Sequence, residues 1–383
     1  MSEITPFRIA VPQDDLDDLN QRLARTRLLS ELPADQFSGT VDVGIPVPPG
    51  WEYGVPLSYV RPLLEHWRNA FDWRSKERWL NTFPQFTTEI DGQRVHFVHV
   101  RSPEPDATAL MLTHGWPSSF VEFLGLVAEL TDPRTHGGDP ADAFHVVIPS
   151  HPGFAFSGPT TRVGWTSERI AATYVELMAR LGYDRYGVHG NDAGALVAPE
   201  LGRIAPDQVI GVHVDQIFSF PTGAPGELDG LSEAELARMR FGQKFLEHSI
   251  HDFSQSAQPS TLAHALSDSP VGQLAWSGQL FGTSLTPEDI LTNVAIYWFT
   301  NTSASSARLY FENKHGAQAS APTTVPLGLA AFGYDFTPPR AFAERDHSNI
   351  VQWNEYDRGG HWAAYEVPDL LLADIRGFIR KVI

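Results

Sequence analysis

Hydrophobic positions recur along this chain with two different periods, and the changes of period divide it. Leu16, Leu19 and Leu23 stand at helical spacing beside Asp14, Asp15, Asp17 and Asp18, anions favoured in a helix's first turns, so an amphipathic helix opens the sequence. Proline and glycine crowd residues 39–54, which read as an irregular wrapping segment, and an aromatic-rich helical stretch follows over 57–79. Residues 86–90 and 94–100 flank Asp91-Gly92, the dipeptide of a two-residue hairpin turn. Short apolar runs at 109–112, 145–148, 186–188 and 209–214 come next, separated by segments long enough for crossover helices. That alternation predicts an α/β fold with a mostly parallel central sheet. From about 220 to 319 the strand signal gives way to helical, aromatic and polar stretches, and 325–330 and 350–353 read as strands again. The division expected is therefore an appended N-terminal region (1–85), a core interrupted in two parts (86–219 and 320–383), and a helical cap between them (220–319). Ligands of such sheets sit beyond the carboxyl ends of the strands, where the cap would roof them.

Composition narrows the class without naming the chemistry. With 383 residues, 42% hydrophobic, ten tryptophans and 23 phenylalanines, the chain can bury a sizeable core. A formal charge of -18 repels phosphates, so nucleic acid is not an expected partner. Zero cysteine excludes disulfides, thiol nucleophiles and Cys-ligated zinc. No apolar stretch approaches the span of a bilayer and no signal peptide opens the sequence, so no membrane anchor is expected and the expected location is the cytoplasm.

The most informative local pattern is Gly190-Asn191-Asp192-Ala193-Gly194. A buried-strand signature precedes it and Ala195-Leu196-Val197-Ala198-Pro199 begins a helix after it, so the pattern reads as a strand-to-helix elbow. Such a turn strains its apex residue and stands the side chain above the sheet; here the apex carries aspartate where serine is the common occupant. The same five residues also compose an ordinary capped loop, so other segments must decide. A nucleophilic Asp192 needs a base to activate water, a group to orient that base, and amides for a developing oxyanion. His361, between Gly360 and Trp362 after the last expected strand, is the candidate base. Asp335 follows the strand before it and gives the chain order nucleophile, acid, base, with Asp215 a rival at the end of an earlier strand. The backbone amides of Ala193 and Trp116 are the expected oxyanion donors, and the Trp116 indole adds an apolar wall.

These segments resemble the microsomal-type epoxide hydrolases of the α/β-hydrolase superfamily. His114-Gly115-Trp116-Pro117, His151-Pro152-Gly153-Phe154, Asp268-Ser269-Pro270-Val271-Gly272 and Arg358-Gly359-Gly360-His361 all look like that family's motifs, and the likeness runs the length of the chain. The resemblance implies an α/β-hydrolase fold with a wrapping N-terminal region and a helical cap, no cofactor and no metal, and a small-molecule epoxide as substrate. It implies attack by Asp192, an alkyl-enzyme ester, and hydrolysis of that ester by water that His361, held by Asp335, activates. It also implies Tyr310 in the cap as the acid for the ring oxygen. The chain departs from the family at three places, one of them Asp215, where a neutral residue is usual. His251 stands where a second cap tyrosine is expected, as a substitute acid or a lining residue, and Ala193 replaces a common tryptophan, which widens the pocket toward bulky or aromatic epoxides. A homodimer is compatible with the resemblance. The rival functions are an aspartate-nucleophile dehalogenase and a ligand-binding protein that kept the pocket.

Overall fold

A computed structural model describes residues 3–31, 50–316, 321–333 and 335–383. The expected wrapping segment at 39–54 falls outside these residues except for its last five. The described strands form one sheet in the order β1-β2-β3-β5-β4-β6-β7-β8-β9. Strands β1 (Thr5–Phe7), β2 (Gln85–Ile90) and β3 (Gln93–Val100) are antiparallel, and β3 pairs antiparallel with β5 (Phe144–Pro149). From there β4 (Thr108–Thr113), β6 (Tyr186–Gly190), β7 (Val209–Val214), β8 (Leu327–Phe332) and β9 (Ile350–Tyr356) continue the sheet in parallel. The hairpin turn has the left-handed backbone its dipeptide favours, with φ of 53° at Asp91 and 69° at Gly92. Strand β1, too short and polar to be legible in sequence, is held at the edge by its pairing with β2.

Helix α1 (Gln13–Ala24) buries Leu16, Leu19 and Leu23, as their spacing requires. The aromatic stretch expected as one helix is two, α2 (Leu57–Asn69) and α3 (Trp73–Leu80), because the chain turns at 70–72 so that Trp67 and Trp73 can both be buried. Helices α4 (Val127–Thr131), α5 (Ser167–Arg180) and α6 (Ala193–Ile204) lie between the parallel strands in sequence; Pro199 sits inside α6 without ending it. Between β7 and β8 come α7 (Glu233–His248), α8 (Ile250–Ala257), α9 (Pro259–Asp268), α10 (Pro270–Phe281), α11 (Pro287–Thr300) and α12 (Ser303–His315). Helices α13 (Arg340–Asp346), α14 (Ala363–Glu366) and α15 (Pro368–Val382) complete the described elements.

The N-terminal helices clasp the helices that follow β7. Helix α1 touches α2 and α10, and α11 touches both α2 and α3. Ion pairs cross the same seam: Arg22 meets Asp268 at 2.9 Å, and Glu288 meets His66 at 2.8 Å and Lys76 at 3.1 Å. These pairs are solvent-exposed and contribute little individually, so burial of the leucine face does most of the holding. Among the described residues no helix is long and apolar enough to cross a membrane.

Candidate active site

Strand β6 ends at Gly190 and α6 begins at Ala193, leaving Asp192 at the apex with φ 52° and ψ -117°. A non-glycine residue held there costs about 1–3 kcal/mol, so the surroundings must impose it. They do so by close approach. A Cβ on Gly194 would lie 1.9 Å from the Thr113 carbonyl oxygen, and one on Gly115 would lie 2.4 Å from the Asp192 Cβ. Only glycine lets α6 press against the end of β4, and only glycine lets the 114–117 loop touch the apex.

The Asp192 carboxylate is met from two sides. Its Oδ1 accepts the Trp116 backbone N–H at 2.8 Å, and the Ala193 amide also donates to this carboxylate. Its Oδ2 lies 3.4 Å from His361 Nε2. Burial opposes the charge, but His361 and the two amides outweigh it and hold the carboxyl below the ordinary aspartate range. His361 Nδ1 lies 3.1 Å from both oxygens of Asp335. Burial again opposes the charge, yet Asp335 and Asp192 together raise the imidazole well above 6.5, so it is an imidazolium at rest.

Asp215, the rival acid, is 1% exposed and touches neither Asp192 nor His361 through a hydrogen bond. Among the described residues neither of its oxygens has a hydrogen-bond partner, and burial first, then Glu122, Asp335 and Asp374, push its carboxyl well above the usual range. His189, His213 and Asp215 lie close enough together to suggest metal ligation. The ring nitrogens argue otherwise. His213 spends Nε2 on Asp374 at 2.8 Å and Nδ1 on His189 Nδ1 at 2.9 Å, leaving only His189 Nε2 and Asp215 with uncommitted atoms, 3.8 Å apart. Two ligands do not make a protein metal cage of the usual kind.

Above the carboxylate, helices α8 and α12 bring His251 and Tyr310 onto Trp116. The His251 ring stacks on the indole at 5.6 Å and 13°, and Tyr310 stands edge-on to both, at 5.8 Å from Trp116 and 5.9 Å from His251. Burial lowers His251 to about 4, and its Nδ1 lies 3.0 Å from Ser249 Oγ, so a neutral imidazole faces the pocket at neutral pH. Burial, reinforced by Asp192 and Asp252, pushes the Tyr310 phenol well above 10, which keeps its proton in place. The structure thus brings together Asp192, Ala193, Trp116, Asp335, His361, Tyr310 and His251, and leaves Asp215 behind the elbow.

Three contributors had no assigned role in the sequence. Gln216 and Asn191 hydrogen-bond around the elbow, and Glu122, buried and pushed up to about 7 by desolvation, accepts from Asn191 Nδ2 at 2.7 Å. Gln216 lies two residues beyond the end of β7 at the carboxyl edge of the sheet, which was the one available signal; Glu122 gave none, since its burial is set by the fold around it.

A mostly parallel central sheet, a strained strand-to-helix elbow and a helical roof define an α/β-hydrolase. Residues 4–123 match the family described as Epoxide hydrolase N terminus, and residues 108–268 match that described as alpha/beta hydrolase fold. A Stigmatella aurantiaca protein is 40% identical to this chain, covering 99% of it and 85% of its own length. Epoxide hydrolase 1 of Sus scrofa is 32% identical, over 98% of this chain and 88% of its own. The structure of Aspergillus niger epoxide hydrolase aligns with a TM-score of 0.85 at 31% identity, covering 100% of this chain and 97% of that one. This chain belongs to the epoxide hydrolase family, whose members are hydrolases acting on ether bonds.

Proposed function

We propose that this chain opens epoxides to vicinal diols through an ester on Asp192. The observation that carries the proposal is the division of labour between the carboxylate oxygens: Oδ1 already occupies an amide cradle, while Oδ2 faces His361. Oδ2 attacks an epoxide carbon, the carbon–oxygen bond breaks with its electron pair going to the ring oxygen, and Tyr310 supplies the proton. His251 is the second neutral donor within reach of that oxygen. The phenolate recovers its proton from the His361 imidazolium through water, which leaves His361 neutral.

Charge then explains the second step. Alkylation turns Asp192 into a neutral ester and removes one of the two carboxylates that raise His361, so the imidazole becomes a base when a base is needed. It takes a proton from water, the oxygen attacks the ester carbonyl, and Oδ1 becomes the oxyanion in the cradle of Trp116 and Ala193. Release of the diol regenerates the Asp192 carboxylate and the imidazolium, so protons balance over the cycle. The small Ala193 side chain and the three-ring wall favour a bulky or aromatic epoxide.

One turnover of styrene oxide in oxygen-18 water tests the covalent route. Label should enter Asp192 and be absent from the first diol; label in that diol instead would point to direct attack by water. A second reading, dehalogenation, is favoured by one observation: the Trp116 indole nitrogen is buried with no hydrogen-bond partner among the described residues, the kind of donor a departing halide needs. Halide release from a bromoalkane with no diol from any epoxide would select it.

A further inference from the structure

The three proposed catalytic residues are joined by a closed ring of hydrogen bonds that passes through two amide side chains. Gln216 Nε2 donates to Asn191 Oδ1 at 2.8 Å and to Asp335 Oδ2. Asn191 Nδ2 donates to the His361 carbonyl at 3.0 Å, and His361 Nδ1 returns to Asp335. The remaining Gln216 atom, Oε1, accepts the backbone N–H of Asp192 at 2.8 Å. Gln216 is 1% exposed and Asn191 is fully buried, so the bond between them is made away from water, while those to Asp192, Asp335 and His361 are part-buried.

We infer that Gln216 is the positioning residue of this site, fixing the strained Asp192 backbone with its oxygen and the Asp335 carboxylate with its nitrogen. This rests on the covalent route proposed above. Only a primary amide serves. Its nitrogen must face the Asp335 carboxylate, which can only accept, and its oxygen must face the Asp192 N–H, which can only donate. The network therefore dictates the orientation of the amide. A buried donor or acceptor deprived of its partner is costly, so the ring resists rotation of any member.

The two chemical steps depend on Gln216 unequally. Alkylation uses the Asp192 carboxylate, whose oxygens are held by Trp116, Ala193 and His361. Hydrolysis needs the His361–Asp335 pair aimed at a water, and among the described residues Asp335 is held by the Gln216 side-chain amide together with the Phe336 backbone N–H at 2.7 Å. Misplacement of a catalytic group by about 1 Å costs about 10²-fold. Gln216→Met, close in size and without hydrogen-bonding groups of this kind, should slow ester hydrolysis by about that factor and alkylation far less, so that alkyl-enzyme accumulates.

Gln216→Glu separates positioning from packing. The introduced carboxyl can mimic the amide only while it holds a proton to give to Asp335; once ionised, it joins Asp335, Asp192, Glu122 and Asp215 as a fifth acidic group around His361. Hydrolysis in this variant should approach the parent rate in acid and fall as pH rises, a limb absent from the parent. Rapid-quench measurement of both steps from pH 5 to 9, with styrene oxide, reads each outcome. Equal slowing of both steps in Gln216→Met, or an unchanged pH profile in Gln216→Glu, would overturn the assignment. If either variant fails to fold, the parent still decides: its Gln216 side-chain amide protons should exchange slowly with deuterium and shift when Asp192 is alkylated, and rapid exchange would sink the idea. A parent that forms no alkyl-enzyme at all would instead sink the covalent route.

Discussion

Asp192 is held below and His361 above its ordinary range, and the roles proposed for them are separable because each is assigned to a different step. Tyr310→Phe should slow alkylation by about 10²–10⁴-fold, the usual worth of a positioned acid, while leaving ester hydrolysis near the parent rate. His361→Gln should reverse that pattern, giving one equivalent of alkyl-enzyme per site and almost no turnover; intact-mass spectrometry after mixing with substrate distinguishes the two. The carboxylates behind them divide as sharply. Asp335→Asn should stall hydrolysis, because it weakens the charge that holds the imidazole. Asp215→Asn should not. Since the Asp215 carboxyl is raised in the fold, the native state keeps its proton while the unfolded chain ionises as pH climbs above the ordinary value of 3.8, which costs stability at up to about 1.4 kcal/mol per pH unit until the folded value is reached. Replacing it by asparagine should therefore raise the thermal midpoint at pH 8 more than at pH 5. A drop at both pH values, or lost activity, would return Asp215 to the list of working acids.

At the scale of elements, the elbow depends on how closely the start of α6 approaches β4 and the 114–117 loop. Gly194→Ala drives a methyl into the Thr113 carbonyl, backbone against backbone, with nothing flexible to yield. It should cost several kcal/mol, on the order of the most damaging core substitutions, and appear as loss of soluble protein. Gly115→Ala instead meets the Asp192 side chain at Cβ and Oδ1, 2.4 and 2.7 Å away, so the strain falls on the nucleophile. This variant should fold, with a thermal midpoint a few degrees lower, and lose alkylation by 10²-fold or about that. A Gly115→Ala enzyme with parent alkylation rates would show that the loop can retreat without disturbing the carboxylate.

For the molecule as a whole, buried imidazoles set the response to acid. His96 is lowered to about 3, and His99, His151 and His251 to about 4, in each case chiefly by burial; His114 and His189 lie well below 6.5 for the same reason. A folded pKa depressed below that of the unfolded chain means the unfolded state binds more protons, so this stability is complete above about 6.5 and is lost as pH falls toward the folded values. Each such histidine contributes up to about 1.4 kcal/mol per pH unit across that window. Groups raised in the fold, Asp215 among them, act in the opposite sense. Glu122, raised to about 7, favours the fold below 4.5 and loses that advantage as pH rises through 7, and the raised His361 gives stability below 6.5 that fades once pH passes its folded value. The histidines outnumber them, so unfolding midpoints should decline steeply between pH 6.5 and 4. A flat profile over that range would mean the buried rings are hydrated in solution.

Local signals in the sequence were sufficient for most of the elements and marked most of the residues that the candidate site brings together. Helical spacing placed Leu16, Leu19 and Leu23, the Asp-Gly pair placed the hairpin, and short apolar runs placed the parallel strands, because each depends on residues a few positions apart. The elbow and the segments around Trp116, Asp335 and His361 likewise carried their own marks. What the sequence left open were questions of distance. Asp335 and Asp215 each end or follow a strand, and only packing shows that one reaches His361 while the other is sealed beneath the elbow. Gln216 and Glu122 are unremarkable letters until strands and helices far apart in the chain enclose them. Charge states followed the same division: the sequence supplied the ionisable groups, and burial with neighbouring carboxylates decided that His361 rests protonated and His251 rests neutral.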